Sequence, residues 1–499
     1  MALSTKAFIE MSYLRRILRI NSCEITNKKI SDVILAVVLV GICFCILWKA
    51  NWTFGLWSAV DECQFLRTTA VGKPSHAWSG NGRFWPLGLC DYCILLFLPF
   101  GNTATAHYLY NCVMLILASF MLHKFLNKIC KNRFISVFSL LVLFSTSAFM
   151  RIHVSCIFPE RMLFFMLSAF MLFTQKGREK QSLLHYFLAV LVAAYATYLK
   201  EPIFGVFIII AAVNIICGQL SFKDKIFNGA LLVNSAIFVA IYVYRLFFRD
   251  SGEPYAQIIF NYFELPFKQF GREPILILMV IIACIRAYSI LVKKDRRYIF
   301  VDSLLFAGVG YAIAIMMFKF ASTYYFFPSV LLFIPAFAAF LLEEKGYFCG
   351  YDEPCVFLSK KRSFFAICFA LVCMPITIIP SSKVVLRCWK HRDNDHLFFE
   401  NIVRECQLGK ALYLIDDKAF PYEHFLCPYN SHVTFLRYYG GQDFPIISEV
   451  NPVKMNENSI VLSHREPQAS IARKLEENGF KLIQTLGETK LFGKMDKVK

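Results

Sequence analysis

The sequence lacks several features that would place it in a common structural class. Its apolar stretches do not alternate with polar residues, which argues against the strands of a transmembrane β-barrel. None of its 18 cysteines has the spacing of a zinc ligand set, and Cys90 and Cys93 lie in an apolar run without the strand and helix pattern of a redox protein. There is no internal repeat and no low-complexity segment. Long apolar runs are therefore the main structural signal.

These runs are about twenty residues long, which is enough to cross a bilayer. Hydrophobic residues make up 57% of the chain, and 52 of its 499 residues are phenylalanine. A soluble domain is about half apolar and has no such runs. The composition predicts an all-α polytopic membrane protein. The net charge of +18 does not indicate a nucleic-acid partner, because the basic residues concentrate in short loops between the runs.

The runs predict about eleven transmembrane helices. The predicted spans are 32–49, 105–123, 134–150, 161–175, 183–199, 203–220, 226–247, 275–292, 299–318, 325–342 and 363–380. Before the first span, residues 1–31 form a basic, partly amphipathic segment, which we expect on the cytoplasmic surface ahead of an uncleaved signal-anchor. The run 86–100 is short and marked by proline and glycine, so we interpret it as a re-entrant or interfacial segment.

Loop charges predict the orientation of these spans. Lysine and arginine recur in every second loop, at 124–133, 176–180, 223–225, 293–297 and 345–362. The positive-inside rule places these loops and the N-terminus inside. Because the number of spans is odd, the C-terminal tail is then predicted outside. The predicted domains are a transmembrane domain, 32–382, and an outer C-terminal domain, 383–499. The tail contains strand-like runs at 411–415 and 459–462, a helix-like run at 467–478, and a hairpin-like pair at 481–484 and 490–492. This pattern predicts a small α/β domain.

Ionisable residues collect at the outer ends of the predicted spans. They are Asp61, Glu62, Arg83, Arg151, His153, Glu160, Arg161, Lys200 and Glu201. Ionisable groups at the edge of hydrocarbon are expensive and are by default interpreted as a functional site. One basic residue alone is equally well explained by snorkelling toward lipid phosphates. Together, however, the outer positive charges oppose the topology rule, and they predict a site for an anionic, lipid-linked substrate.

The first outer loop, 50–104, gives the strongest functional signal. The acidic pair Asp61-Glu62 follows the first span, and an aromatic segment marked by glycine and proline follows at 82–87. This layout resembles the GT-C superfamily of polyprenyl-phosphate-sugar glycosyltransferases, which includes protein O-mannosyltransferases, aminoarabinose transferases that modify lipid A, and O-antigen glucosyltransferases. The resemblance covers the layout of 30–380 and is sharpest at 57–87. The WWDxG-type signature of oligosaccharyltransferases is lacking, which argues against transfer to asparagine.

The resemblance implies that Asp61 is the catalytic base, with Glu62 as the alternative. A carboxylate within reach can take the proton of an acceptor hydroxyl that attacks the anomeric carbon, and a single displacement inverts that carbon. The leaving lipid phosphate needs fixed positive charge, which arginine and lysine supply. The predicted contacts to the phosphate or sugar come from Arg83, Trp85, Arg151, Glu160, Arg161, Lys200, Glu201, Lys319 and Tyr324. Tyr324 is interpreted first as an interfacial anchor, with a phosphate groove shared with Lys319 as the alternative, and Trp85 fits a membrane-surface belt equally well.

Some roles stay open at this point. Glu160 and Glu201 are interpreted first as partners that orient Arg161 and Lys200, and binding of the acceptor or of a metal is the alternative. The carboxylates offer enough oxygens for Mg²⁺ or Mn²⁺, but their spacing demands no metal. The expected partners are a polyprenyl-phosphate sugar, membrane lipids, and a glycan, lipid or protein acceptor, without nucleic acid. The expected location is a bacterial inner membrane, with the site on the periplasmic face.

Two other functions suit an outward-facing polytopic protein with basic residues. A flippase or transporter for lipid-linked oligosaccharide predicts charges near the bilayer midplane and an internal repeat. An O-antigen polymerase or ligase predicts functional residues in one large later loop. The sequence has no repeat, its later loop 248–274 is modest, and its acidic pair lies in the first loop. The sequence therefore favours the glycosyltransferase.

Overall fold

The computed structural model of the chain describes residues 30–48, 78–80, 83–98, 104–154, 156, 158–248, 269–296, 298–317, 322–341, 367–383, 385–386, 402, 404–405, 411–415, 446–447, 459–463, 469–486 and 489–494. Three of the predicted site residues, Asp61, Glu62 and Lys319, lie outside this part of the chain. So does nearly all of the basic segment 1–31.

Helices make up most of the described residues. They are α1 (Ile30–Trp48), α2 (Ala104–Cys130), α3 (Arg133–Ser145), α4 (Ser147–Val154), α5 (Glu160–Lys180), α6 (Leu183–Leu199), α7 (Ile203–Cys217), α8 (Phe222–Phe248), α9 (Ile275–Leu291), α10 (Ile299–Met317), α11 (Phe327–Leu341) and α12 (Ile367–Lys383). Five helical segments are long and apolar enough to cross a membrane, and the bent pair of α3 and α4 makes a sixth if it forms one span. The protein is thus a helical membrane protein with five or six candidate spans in its described part. The total of about eleven spans and their orientation remain predictions.

The third predicted span, 134–150, is wrong as a single helix. It breaks at Thr146, and the axes of α3 and α4 differ by 70°. The Thr146 hydroxyl donates to the carbonyl of Leu143 at 2.7 Å and accepts from the backbone N–H of Phe149 at 3.2 Å. A carboxylate oxygen of Glu273 accepts from the N–H of Ala148 at 2.8 Å. These side chains satisfy backbone groups that the break leaves free, so they stabilise it.

The segment 86–100 contains a 3₁₀ helix, Cys90–Phe97, instead of a membrane-length α-helix. Leu89 precedes it with a φ of 65°, in the left-handed region. Asp91, Tyr92 and Leu95 are buried within the protein. The backbone N–H of Leu87 donates to the carbonyl of Tyr198 at 3.1 Å, which ties the segment to the C-terminal end of α6. This geometry agrees with a non-spanning segment packed against protein.

Helix α11 lies at the centre of the helical bundle. All of its residues are buried, as expected for a helix that is surrounded by other helices. It packs against α10, α3 and α9, while α5 packs between α2 and α6. Helix α1 instead exposes Val37, Val40 and Phe44, which form an apolar face suited to lipid.

A buried arginine lies between α9 and α10. Arg286 is completely buried and donates twice to the carboxylate of Asp302, at 2.8 Å each. It also donates to Asp295 at 3.2 Å. The positive charge of an arginine within an apolar helix must be compensated by such acidic partners. These contacts also join α9 to α10.

The C-terminal region contains a five-stranded sheet of order β4-β3-β5-β7-β6. Its elements are β3 (Ala411–Ile415), β4 (Ile446–Ile447), β5 (Ser459–Ser463), α13 (Ala469–Glu477), β6 (Phe480–Leu486) and β7 (Thr489–Lys494). Strand β3 is parallel to β4 and β5, whereas β7 is antiparallel to β5 and β6. The strand runs, the helix and the hairpin predicted in the tail are confirmed. Its location outside the membrane remains a prediction.

Candidate functional site

Two buried ion pairs meet near the N-terminal end of α5. Arg161 Nη1 lies 2.7 Å from Asp91 Oδ2, and Lys200 Nζ lies 2.9 Å from Glu160 Oε1. None of these four side chains is more than 6% exposed. Glu160 and Arg161 are neighbours in sequence, yet each pairs with a residue from another segment. The structure thereby joins α5 to the 3₁₀ helix and to the turn between α6 and α7.

Chain geometry explains why these charges sit at helix ends. Pro159 precedes α5 and Pro202 precedes α7, each in helical backbone conformation at the cap position. Proline is favoured near a helix start, because the first N–H groups have no intrahelical partner. The charged residues beside the two prolines are thus held in short turns, where their side chains reach neighbouring segments.

The guanidinium of Arg161 is fixed on three sides. Besides its contact with Asp91, Nε donates to the carbonyl of Cys156 at 3.3 Å. Its Cζ lies 4.0 Å from the ring centroid of Tyr92, a cation–π distance. The remaining nitrogen, Nη2, is shielded from water and has no hydrogen-bond partner in the described structure. Arg161 is therefore oriented by the protein and retains an unused hydrogen-bond donor.

Two residues of this group, Asp91 and Tyr92, were not predicted as site residues. The Tyr92 hydroxyl lies 2.7 Å from the carbonyl oxygen of Cys156 and 3.1 Å from Oδ1 of Asn111. It therefore fixes the same backbone carbonyl that receives Arg161 Nε. The available signal was an acidic residue inside the otherwise apolar run 86–100, because such a residue needs a buried partner.

Aromatic rings surround the pair of Lys200 and Glu160. Lys200 Nζ lies 4.6 Å from the ring centroid of Tyr325 and 5.8 Å from that of Tyr324. The ring of Tyr324 packs against that of Phe158, with 4.4 Å between centroids and 38° between the ring planes. Glu160 is completely buried, and its Oε2 has no hydrogen-bond partner among the described residues. The predicted residues Glu160, Lys200 and Tyr324 thus come together.

Glu201 connects this cluster to the first outer loop. That loop contains a hairpin of β1 (Trp78–Gly80) and β2 (Arg83–Trp85). An oxygen of Glu201 accepts from the backbone N–H of Phe84 at 3.0 Å, so the hairpin is held at the turn that bears Lys200. The predicted Arg83 and Trp85 flank Phe84 in β2, and their side chains lie outside the described structure.

Two further ionisable residues, Arg151 and His153, lie on α4 and are not members of the two ion pairs. Arg151 lies on α4 and is half-buried. His153, also on α4, is buried, with Nδ1 2.9 Å from the carbonyl of Phe149. That local contact accounts for His153 without a ligand. In the part of the chain that the structure describes, no three His, Cys, Asp or Glu side chains are grouped to hold a metal ion.

No protein-family model matches this sequence, and no curated protein shows significant similarity to it.

Proposed function

We propose that this protein is an integral membrane glycosyltransferase of the GT-C type. It moves a sugar from a polyprenyl phosphate to a glycan, lipid or protein acceptor on the outer face of the membrane. The observation that supports this most strongly is the convergence of two buried ion pairs with the hairpin of the first outer loop. Buried charges at helix ends are costly, and a site for a charged ligand accounts for that cost.

The donor phosphate is assigned to Arg161 and Lys200. The planar arginine fork suits phosphate oxygens, and Arg161 Nη2 is a donor that Asp91 does not use. Asp91, Cys156 and Tyr92 hold the guanidinium in place, so no reorientation is needed when negative charge develops on the leaving phosphate. This preorganisation in a buried site strengthens the electrostatic stabilisation.

Asp61 is assigned as the general base. It precedes the β1–β2 hairpin in the same outer loop, and Glu201 holds that hairpin beside Lys200. Asp61 accepts the proton of the acceptor hydroxyl as its oxygen attacks the anomeric carbon. The bond from that carbon to the phosphate oxygen breaks, the phosphate leaves with the electron pair, and the anomeric configuration inverts.

A transporter for lipid-linked oligosaccharide is the main alternative. It predicts charged residues along a path near the midplane. Within the described residues, Glu160 and Arg161 instead begin α5, and Lys200 directly follows α6. Buried charges at helix ends favour a site at the membrane boundary, and thus the transferase.

The test measures binding and transfer in the same preparation. Wild type, Asp61→Asn and the neighbouring control Glu62→Gln are purified in detergent and given radiolabelled undecaprenyl-phosphate hexose with glycan, lipid and protein extracts of the cell surface. We expect transfer by wild type, with a rate at least about 100-fold lower in Asp61→Asn and with donor binding retained. A loss confined to Glu62→Gln would move the base to Glu62. Donor binding without transfer to any extract, or no donor binding, would contradict the transferase.

A further inference from the structure

The Glu160 carboxylate has an oxygen without a hydrogen-bond partner among the described residues. Glu160 is completely buried, and its Oε1 lies 2.9 Å from Lys200 Nζ. Its Oε2 is shielded from water and accepts no hydrogen bond in the described structure. A buried polar atom without a partner is costly, and in a native structure it calls for an explanation such as a bound ligand or an ordered water.

Aromatic rings lie close to the lysine that pairs with Glu160. Tyr324 lies 5.8 Å from Lys200 Nζ and packs against Phe158 at a tilted angle, and both residues are partly exposed. Aromatic faces suit the C–H face of a sugar, and a few placed polar groups fix its orientation. A carboxylate oxygen is an acceptor only, so it selects a ligand group that donates a hydrogen bond, such as a hydroxyl.

We propose that Glu160 binds a ring hydroxyl of the transferred sugar through Oε2. This inference rests on the proposed function and adds the residue that recognises the sugar. Arg161, the next residue in α5, binds the phosphate, so two consecutive side chains at the start of one helix bind two directly bonded parts of the donor. The ligand class is a hexosyl phosphate with its hydroxyls unsubstituted. Glu160 is thereby a specificity-determining residue, distinct from the base.

The test compares hexose donors with a series of monodeoxy analogues, each lacking one ring hydroxyl. Wild type should lose about 10- to 100-fold in kcat/KM with one analogue, because a hydrogen bond to a charged group is lost. Glu160→Gln should lower kcat/KM for the full donor by a similar factor. With that same analogue it should show no further loss beyond about threefold, since two changes at one contact are not additive. A merely structural role for Glu160 would leave the preference between donors unchanged.

Two further variants keep this test decisive. Glu179→Gln alters a partly exposed carboxylate near the C-terminal end of the same helix, α5, and should keep the wild-type preference between donors. If Glu160→Gln does not fold, Glu160→Asp keeps the negative charge beside Lys200 but shortens the side chain by one methylene group, and it should also lose the preference.

Each outcome either supports or overturns the inference. Equal use of all analogues by wild type would overturn it, and so would a preference that persists in Glu160→Gln. Donor binding is measured beside transfer to separate this inference from the proposed function. If wild type transfers no sugar, the proposed function fails. The Glu160 inference then stands or falls on whether binding of the hexosyl phosphate depends on one hydroxyl and on Glu160.

Discussion

Replacing Asp91 by asparagine tests how much the buried pair with Arg161 contributes to stability. The two side chains are each 2% exposed and their charged atoms lie 2.7 Å apart. Removing one partner of a buried pair costs about 3–5 kcal/mol, because the other charge is left uncompensated. Asparagine keeps an acceptor oxygen, and Arg161 keeps its contacts with Cys156 and Tyr92. We therefore expect the lower end, about 3 kcal/mol or about a 100-fold change in the folding equilibrium.

The measurement is the free energy of unfolding in mixed detergent micelles, followed by tryptophan fluorescence during a titration with dodecyl sulfate. The matched control is Glu179→Gln, which breaks the pair with Lys128. Those side chains are 36% and 34% exposed, so the loss should stay below about 1 kcal/mol. The combined change Asp91→Leu with Arg161→Met should restore stability to within about 1 kcal/mol, because an apolar pair needs no compensation. A cost for Asp91→Asn no larger than that for Glu179→Gln would show that burial does not raise the cost of breaking this ion pair.

Three further predictions concern stability. Arg286→Met leaves the Asp302 carboxylate buried without its bidentate partner and should destabilise the protein by about 3–5 kcal/mol in the same titration. Gly308→Ala places a methyl group 2.9 Å from the backbone oxygen of Ser329, so α10 and α11 must separate, at a cost of about 1–3 kcal/mol. Burial raises the pKa of Glu273, which precedes α9, from 4.5 to about 8. Between these pH values the Glu273 carboxyl group keeps its proton in the folded protein and releases it in the unfolded chain. The free energy of unfolding should therefore fall as pH rises from 4.5 to 8. Unfolding titrations across that range should show a flatter pH dependence in Glu273→Gln.

Each of these has its own control or contradicting result. Gly205→Ala adds a methyl group with no atom within 4 Å and should not destabilise the protein, so equal losses at Gly205 and Gly308 would contradict the close approach of α10 and α11. An unfolding free energy unchanged in Arg286→Met would show that its ion pair contributes nothing. A wild-type pH profile that rises between 4.5 and 8 would contradict a raised pKa of Glu273.

The helices and part of the candidate site could be predicted from the sequence. Hydropathy locates segments that must be buried or lipid-facing, and helices occupy all the apolar runs that were predicted as spans. Glu160, Arg161, Lys200 and Glu201 were singled out because charges at a hydrocarbon boundary are costly, and the structure brings them together. The catalytic prediction for Asp61 and Glu62 falls outside the described residues and stays a prediction.

The pairing within the site could not be predicted, for a physical reason. Arg161 pairs with Asp91, which is 70 positions away, and such a contact depends on tertiary packing that local patterns do not encode. The break at Thr146 was missed because hydropathy averages over a window, whereas the break depends on side-chain hydrogen bonds at single positions. Asp91 and Thr146 are each a polar residue within an apolar run. At both positions the mean hydropathy of the run does not reveal the contacts that the polar side chain makes.

Binding of the donor phosphate by Arg161 is tested most directly by one kinetic comparison. The value of kcat/KM for the polyprenyl-phosphate sugar is measured in wild type and in Arg161→Lys. Lysine keeps the positive charge beside Asp91 but lacks the planar fork and its second nitrogen. We expect active wild type and at least about a 100-fold loss in Arg161→Lys, since an aligned donor to the leaving phosphate is removed. Activity within about threefold of wild type in a folded Arg161→Lys protein would contradict the claim.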